Sequence, residues 1–155
     1  MGHNKCVSLL LDAGTNKDAR DNNGDTAFRC ASDRGHDKCV LLLLDAGADK
    51  DTIANDGSTA LMYACFKGHN KSVSLLLDVG ADKDARDNTG NTALIAASEN
   101  GHDKCVSLLL DAGAEANTVY HEVLIFITIL LFFFCPLQPL NKFYRMDTQL
   151  YMSLQ

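Results

Sequence analysis

Histidine and cysteine are the side chains here best suited to chemistry, and they recur together. His3, His36, His69 and His102 stand three residues before Cys6, Cys39, Ser72 and Cys105. On a helix, positions i and i+3 share a face, so each His-x-x-Cys pair offers two metal ligands. A closed zinc site needs four ligands at about 2.0–2.3 Å, whereas packed helices lie about 8–10 Å apart, so neighbouring pairs do not converge on one ion. Ser72 breaks the series as well. No metal or other cofactor is expected. The sequence also has no G-x-S-x-G elbow, no P-loop, no H-E-x-x-H and no G-x-G-x-x-G. Asp21–Asp25 is rich in oxygen ligands, but the spacing of a calcium loop is missing, so it reads as Asx turns. The chain is expected not to be an enzyme.

Charge narrows the partners. Residues 1–117 hold 12 Lys and Arg against 18 Asp and Glu, which is the whole net charge of −6. An acidic surface repels phosphate backbones, so no nucleic-acid partner is expected. The six cysteines, Cys6, Cys30, Cys39, Cys65, Cys105 and Cys135, include no C-x-x-C pair, and no signal peptide is expected. Free thiols in a reducing, cytoplasmic compartment are the simplest expectation.

The elements that position these residues follow from the glycines. Gly2, Gly35, Gly68 and Gly101 form one series, Gly14, Gly47, Gly80 and Gly113 a second, and Gly24, Gly57 and Gly90 a third. Each series steps by 33 residues, and together they account for all 11 glycines. A period of that length signals a stacked array of supersecondary units. The second series follows runs such as Leu75-Leu-Leu-Asp-Val, where a helix C-terminus favours a left-handed residue. The first separates two helical patterns by a very short break, an αα-hairpin. The third sits in polar clusters with turn composition. Thr26, Thr59 and Thr92 precede apolar runs as N-caps should. The first helix of each unit is placed at about 27–33, 60–66 and 93–99, and the second at 37–45, 70–78 and 103–111. Val73, Leu76 and Leu77, at i, i+3 and i+4, predict one buried stripe.

The segments Thr26-Ala-Phe-Arg-Cys-Ala-Ser-Asp-Arg-Gly-His, Thr59-Ala-Leu-Met-Tyr-Ala-Cys-Phe-Lys-Gly-His and Thr92-Ala-Leu-Ile-Ala-Ala-Ser-Glu-Asn-Gly-His resemble the T-P-L-H-x-A-A-x-x-G-H segment of ankyrin repeats, and the Leu-Leu-Leu-x-x-Gly-Ala-Asp stretch that follows is similar too. The resemblance covers residues 1–116. It implies an all-α fold, a right-handed α-solenoid of helix-turn-helix units joined by β-turn/hairpin loops. It also divides the chain into a partial repeat at 1–17, full repeats at 18–50, 51–83 and 84–116, and a non-repeat hydrophobic tail at 117–155. Two departures stand out. Ala27, Ala60 and Ala93 replace the family's proline, and Arg29, Met62 and Ile95 replace its histidine. Losing the preset proline φ and the family's His–Thr hydrogen bond is expected to weaken the helix starts.

The resemblance further implies a protein-interaction module or scaffold, with turn tips and first-helix ends lining a concave groove that binds another protein. Matched by phase, the candidates are Arg20, Asn22, Asn23, Asp25, Asp33 and Arg34 in the first full unit. The second supplies Ile53, Asn55, Asp56, Ser58, Phe66 and Lys67, and the third Arg86, Asn88, Thr89, Asn91, Glu99 and Asn100. Ile53 and Phe66 are apolar where their counterparts, Arg20 with Arg86 and Asp33 with Glu99, are charged. An aromatic anchor inside a polar rim is the usual form of an interaction hot spot.

Both ends depart from the pattern. The chain opens in mid-repeat with a second helix at about 4–12, whose Val7, Leu10 and Leu11 have no evident cover. A fragment of a longer array, or a partner on this edge, would account for that. Val123–Cys135 is apolar except for Thr128 and is closed by Pro136 and Pro139. A spanning helix needs about 20 apolar residues, so the tail at 117–155 reads as a marginal membrane anchor through Val123–Leu140, a cap on the last repeat, or translated non-coding sequence or a misjudged exon end. An anchor would make the chain a membrane-tethered, membrane-associated scaffold. Lys142 and Arg145 after the run and Glu122 before it would then place the repeats outside the cytosol, against the free cysteines. A transcript that reads unchanged across codon 117 would remove the third reading.

Overall fold

The computed structural model describes residues 3–116 of the chain, and the readings of residues 117–155 lie outside them. Seven helices follow in order: α1 Asn4–Asp12, α2 Ala27–Asp33, α3 Asp37–Asp45, α4 Ala60–Lys67, α5 Asn70–Asp78, α6 Ala93–Glu99 and α7 Asp103–Asp111. There is no strand among the described residues. The first helices α2, α4 and α6 form one row and the second helices α1, α3, α5 and α7 another, with α2 on α3, α4 on α5 and α6 on α7. The expected bounds recur, except that α4 runs one residue further, to Lys67. Gly68, left-handed at φ 72°, is its C-cap and accommodates the extra residue.

The core is a set of columns one period apart. Phe28, Leu61 and Leu94 form one column, and Leu43, Leu76 and Leu109 another, all nearly inaccessible. Val40 and Val73 are fully buried, while Leu77 is only partly so. Leu10 shares the phase of Leu43 and Leu76 yet is 55 % exposed, because no first helix lies on the outer side of α1 among the described residues. A seven- to nine-residue helix is too short to persist alone in water, so burial against a neighbouring copy supplies its stability.

The helix starts retain their caps despite the substituted positions. Thr26, Thr59 and Thr92 Oγ1 accept from the backbone N–H of Arg29, Met62 and Ile95 at 3.2, 3.4 and 3.3 Å. The second helices are held differently. His36, His69 and His102 precede them and make no side-chain cap. The ring Nε2–H of His69 instead donates to Asp33 O at 2.9 Å, and that of His102 to Phe66 O at 3.0 Å, each one unit back.

Polar ladders tie the units at every level. Asn55 N–H donates to Asn23 O and Asn88 N–H to Asp56 O, both at 3.0 Å. The carboxylates of Asp18, Asp51 and Asp84 accept from the N–H of Asp49, Asp82 and Glu115. Between second helices, the Cys39 thiol donates to Asn4 Oδ1 at 3.0 Å, the Ser72 hydroxyl to Asp37 Oδ1 at 2.8 Å and the Cys105 thiol to Asn70 Oδ1 at 3.1 Å. This phase therefore asks for a small donor, which serine meets as well as cysteine.

Gly68 has two reasons to be glycine. Its φ of 72° penalises any Cβ, and a Cβ there would meet His102 Nδ1 at 2.6 Å, whereas the same atom on Gly101 meets nothing within 4 Å. Gly101→Ala is expected to cost only the left-handed conformation, about 1–2 kcal/mol. Gly68→Ala is expected to cost more, because the His102–Phe66 hydrogen bond must also shift. Urea midpoints of the two variants check the order.

Candidate functional site

Among the described residues the row of first helices and their preceding turns holds an open cleft of about 330 Å³ between the second and third full units. Its apolar lining is Met62, Tyr63 and Phe66 from α4 and Ala96 from α6. Asp56, Ser58, Asp87, Asn91, Thr92 and Glu99 supply the polar wall. Met62, Tyr63 and Phe66 meet there because residues four and three apart on a helix share a face. Phe66 is 46 % exposed, a large apolar side chain open to solvent beside carboxylates.

Turn chemistry fixes two of those carboxylates. Asp87 Oδ1 accepts from the N–H groups of Thr89 and Asn91, both at 2.9 Å, and from Thr89 Oγ1 at 2.7 Å. Asp56 accepts from Ser58 N–H at 2.9 Å and from the Tyr63 hydroxyl at 2.8 Å. In both, partial burial raises the pKa, but the donated hydrogen bonds outweigh it and hold the carboxyl below its ordinary 3.8. Burial and the Asp56 acceptor push the Tyr63 hydroxyl up, so it remains a donor.

Arg29 braces the neighbouring side of Tyr63. Its guanidinium lies 3.9 Å from the Tyr63 ring centroid and is ion-paired with Asp25. Burial alone would lower its pKa, yet Asp25 and Tyr63 outweigh that and raise it, so it stays a cation. Arg29 Nε and Nη1 and Asp25 Oδ1 are buried without a hydrogen-bond partner. Delocalised charge and ring stacking suit arginine to such a place.

Of the residues expected from sequence, Asp56, Ser58, Phe66, Asn91 and Glu99 line the cleft. Ile53, 52 % exposed, does not join Phe66 there, and its carbonyl accepts from Arg20 Nη1 at 3.0 Å. Asn55 and Asn88 donate their side-chain amides to Asn22 O and Asn55 O at 3.0 Å, fastening one turn to the next. The Asn23 carbonyl accepts in the same ladder, and Thr89 organises Asp87. Asp25 is paired with Arg29, and the Asp33 carbonyl receives His69. Arg86 and Asn100 bond within their own unit, to Gly90 O and Ala96 O. Arg34 is exposed, and Lys67 sits over the Phe66 ring at 5.0 Å. Met62, Tyr63, Asp87, Thr92, Ala96 and the brace Arg29 were not among the expected residues. Stepping back from Phe66 by three and four positions would have found Tyr63 and Met62.

Among the described residues no three His, Cys, Asp or Glu side chains gather as a metal site would require. No helix of the described residues is long and apolar enough to cross a membrane.

The family description "ankyrin repeats", in three copies, matches residues 1–54 and 47–120. The chain belongs to the ankyrin-repeat family. Ankyrin repeats are in general protein–protein interaction modules and typically non-enzymatic. No individual curated protein matches the chain significantly. In this ankyrin array the cleft brings a solvent-open apolar side chain, Phe66, beside carboxylates ordered by their turns.

Because Asp56 and Asp87 are more acidic folded than unfolded, the folded chain holds fewer protons than the unfolded one at acidic pH. Their stabilisation is full above the ordinary value of 3.8 and is lost as pH falls through the folded values. Thermal melts from neutral to strongly acidic pH are expected to show this decline, and Asp87→Asn to make it shallower.

Proposed function

We propose that this ankyrin array is a docking module for another protein. A partner polypeptide lies along the turn tips and first helices and sets a side chain into the cleft walled by Tyr63 and Phe66. The observation that carries this reading is the exposure of Phe66 in an open cleft, at a phase where the other units carry Asp33 and Glu99. Burying a half-exposed aromatic inside a polar rim is a common source of interface affinity. We take the units as 1–17, 18–50, 51–83 and 84–116, so the cleft joins the last two. The reading is of binding and not catalysis: the Asp56 and Asp87 carboxylates are oriented by donors of their own turns, and the cleft offers a partner fixed charge beside an open apolar face. Thiols that serve as hydrogen donors, such as Cys39 and Cys105, support a reducing, cytoplasmic setting.

The test is affinity capture with the full chain as bait, followed by binding measurements on the captured partner with wild type and Phe66→Ala. The variant is expected to lose about 1–3 kcal/mol of binding while keeping the wild-type melting profile. A Phe66→Ala chain that remains folded and binds the partner undiminished would overturn the proposal.

A further inference from the structure

We infer that the cleft between α4 and α6 selects an arginine-bearing segment of the partner, with the guanidinium set between Phe66 and the carboxylates of Asp56, Asp87 and Glu99. This rests on the docking reading above and adds the chemistry of what docks. The cleft lining contains those three carboxylates and no Lys, Arg or His. The hydrogen bonds to Asp56 and Asp87 come from uncharged donors: backbone N–H groups, hydroxyls and, weakly, the Asn91 amide. Neutral donors orient a carboxylate without cancelling its charge.

The chain's own ion-paired cations are placed elsewhere. Ion pairs among the described residues engage Asp18, Asp25, Asp37, Asp51 and Asp84, and none engages Asp56, Asp87 or Glu99. Arg29 is the nearest fixed cation on the Tyr63 side. It attracts Asp56 at longer range, but its ion pair is with Asp25. Lys67 lies over the Phe66 ring at 5.0 Å and is itself exposed, so it can swing away from an incoming group at little cost. That contact shows that the ring accepts a cation on its face.

Several cations would be drawn to this charge, and the apolar floor separates them. An ammonium is strongly hydrated and gains little from Met62, Phe66 and Ala96. A guanidinium is weakly hydrated across its faces and donates only from its edge. It can therefore stack on Phe66 while its N–H fork reaches carboxylates. A neighbouring apolar side chain of the same segment would cover the rest of the floor.

Phage displaying random dodecapeptides, selected on the immobilised full chain, test the inference. Enriched clones are remade as synthetic peptides and titrated against wild type, Phe66→Ala, and the triple variant Asp56→Asn, Asp87→Asn, Glu99→Gln. Asparagine keeps the acceptor oxygen that each turn uses, and melting curves check the fold. The expected result is peptides that carry Arg beside an apolar residue. Their affinity should fall roughly tenfold or more on the triple variant and on peptide Arg→Ala. Peptide Arg→Lys should fall less, and binding should weaken as salt rises. If the triple variant fails to fold, peptide Arg→Ala and Arg→Glu on the wild-type chain decide the matter alone. Peptides without basic residues, or binding indifferent to these changes but lost with Phe66→Ala, overturn the arginine inference and leave the docking reading standing. Peptides indifferent to Phe66→Ala as well overturn both. A selection that enriches nothing above an uncoated surface overturns the inference, because a linear cationic segment is what it assigns to the cleft.

Discussion

Among the described residues each helix pair shares its core with a neighbouring pair. Phe28, Leu61 and Leu94 form one buried column through the stack, and Leu43, Leu76 and Leu109 form another. The constraint is lateral, and it recurs at every level of the stack. Imidazole to carbonyl, thiol or hydroxyl to amide or carboxylate, and turn amide to turn carbonyl all join one copy to the one before it. Beside α1, where no first helix lies among the described residues, the residue in the core phase is exposed: Leu10 is chemically identical to Leu76 and environmentally opposite. Stability in such an array is a property of interfaces between copies more than of any single copy.

The same lateral joining makes the candidate site. The turn before α6 is a tight Asx structure in which Asp87 gathers the amides of Thr89 and Asn91. That arrangement shapes the turn and also fixes a negative charge at the edge of the cleft. Asp56 does likewise with Ser58 and reaches on to Tyr63 on α4. Scaffold and proposed recognition surface thus share residues. The charge is pre-oriented by hydrogen bonds that folding has already formed, so less ordering is left for a partner to impose.

Arg29 shows how a departure from the family pattern is absorbed. The family's histidine at that phase belongs to a local hydrogen bond at the helix start. Here the threonine caps accept from backbone donors, the Met62 sulfur accepts in turn from Thr59 N–H, and the Arg29 side chain is turned to other contacts. Arg29 stacks on Tyr63 in the next unit and pairs with Asp25. Met62 lines the cleft, with its sulfur 3.5 Å from Thr59 N. At Arg29 a contact local to the helix start is thus replaced by one that reaches the next unit.

Period, helix placement and the left-handed glycines were legible in the sequence, because each depends on residues within a few positions of one another. A thirty-three-residue spacing of glycine after an apolar run specifies a helix end wherever it occurs. Phe66, Asp56 and Glu99 were legible for a related reason: comparing copies in phase shows where one differs. What only the tertiary structure decided is which of the differing residues meet. Ile53 and Phe66 are equally anomalous by type, yet Phe66 enters the cleft and Ile53 does not. Asn55 and Asn88 look like free turn tips but fasten adjacent units, and Tyr63 and Asp87 reach the cleft from different copies. Contacts across units depend on how far and at what angle one copy sits upon the next. That geometry is set by packing of whole side chains, and no spacing within a single copy encodes it.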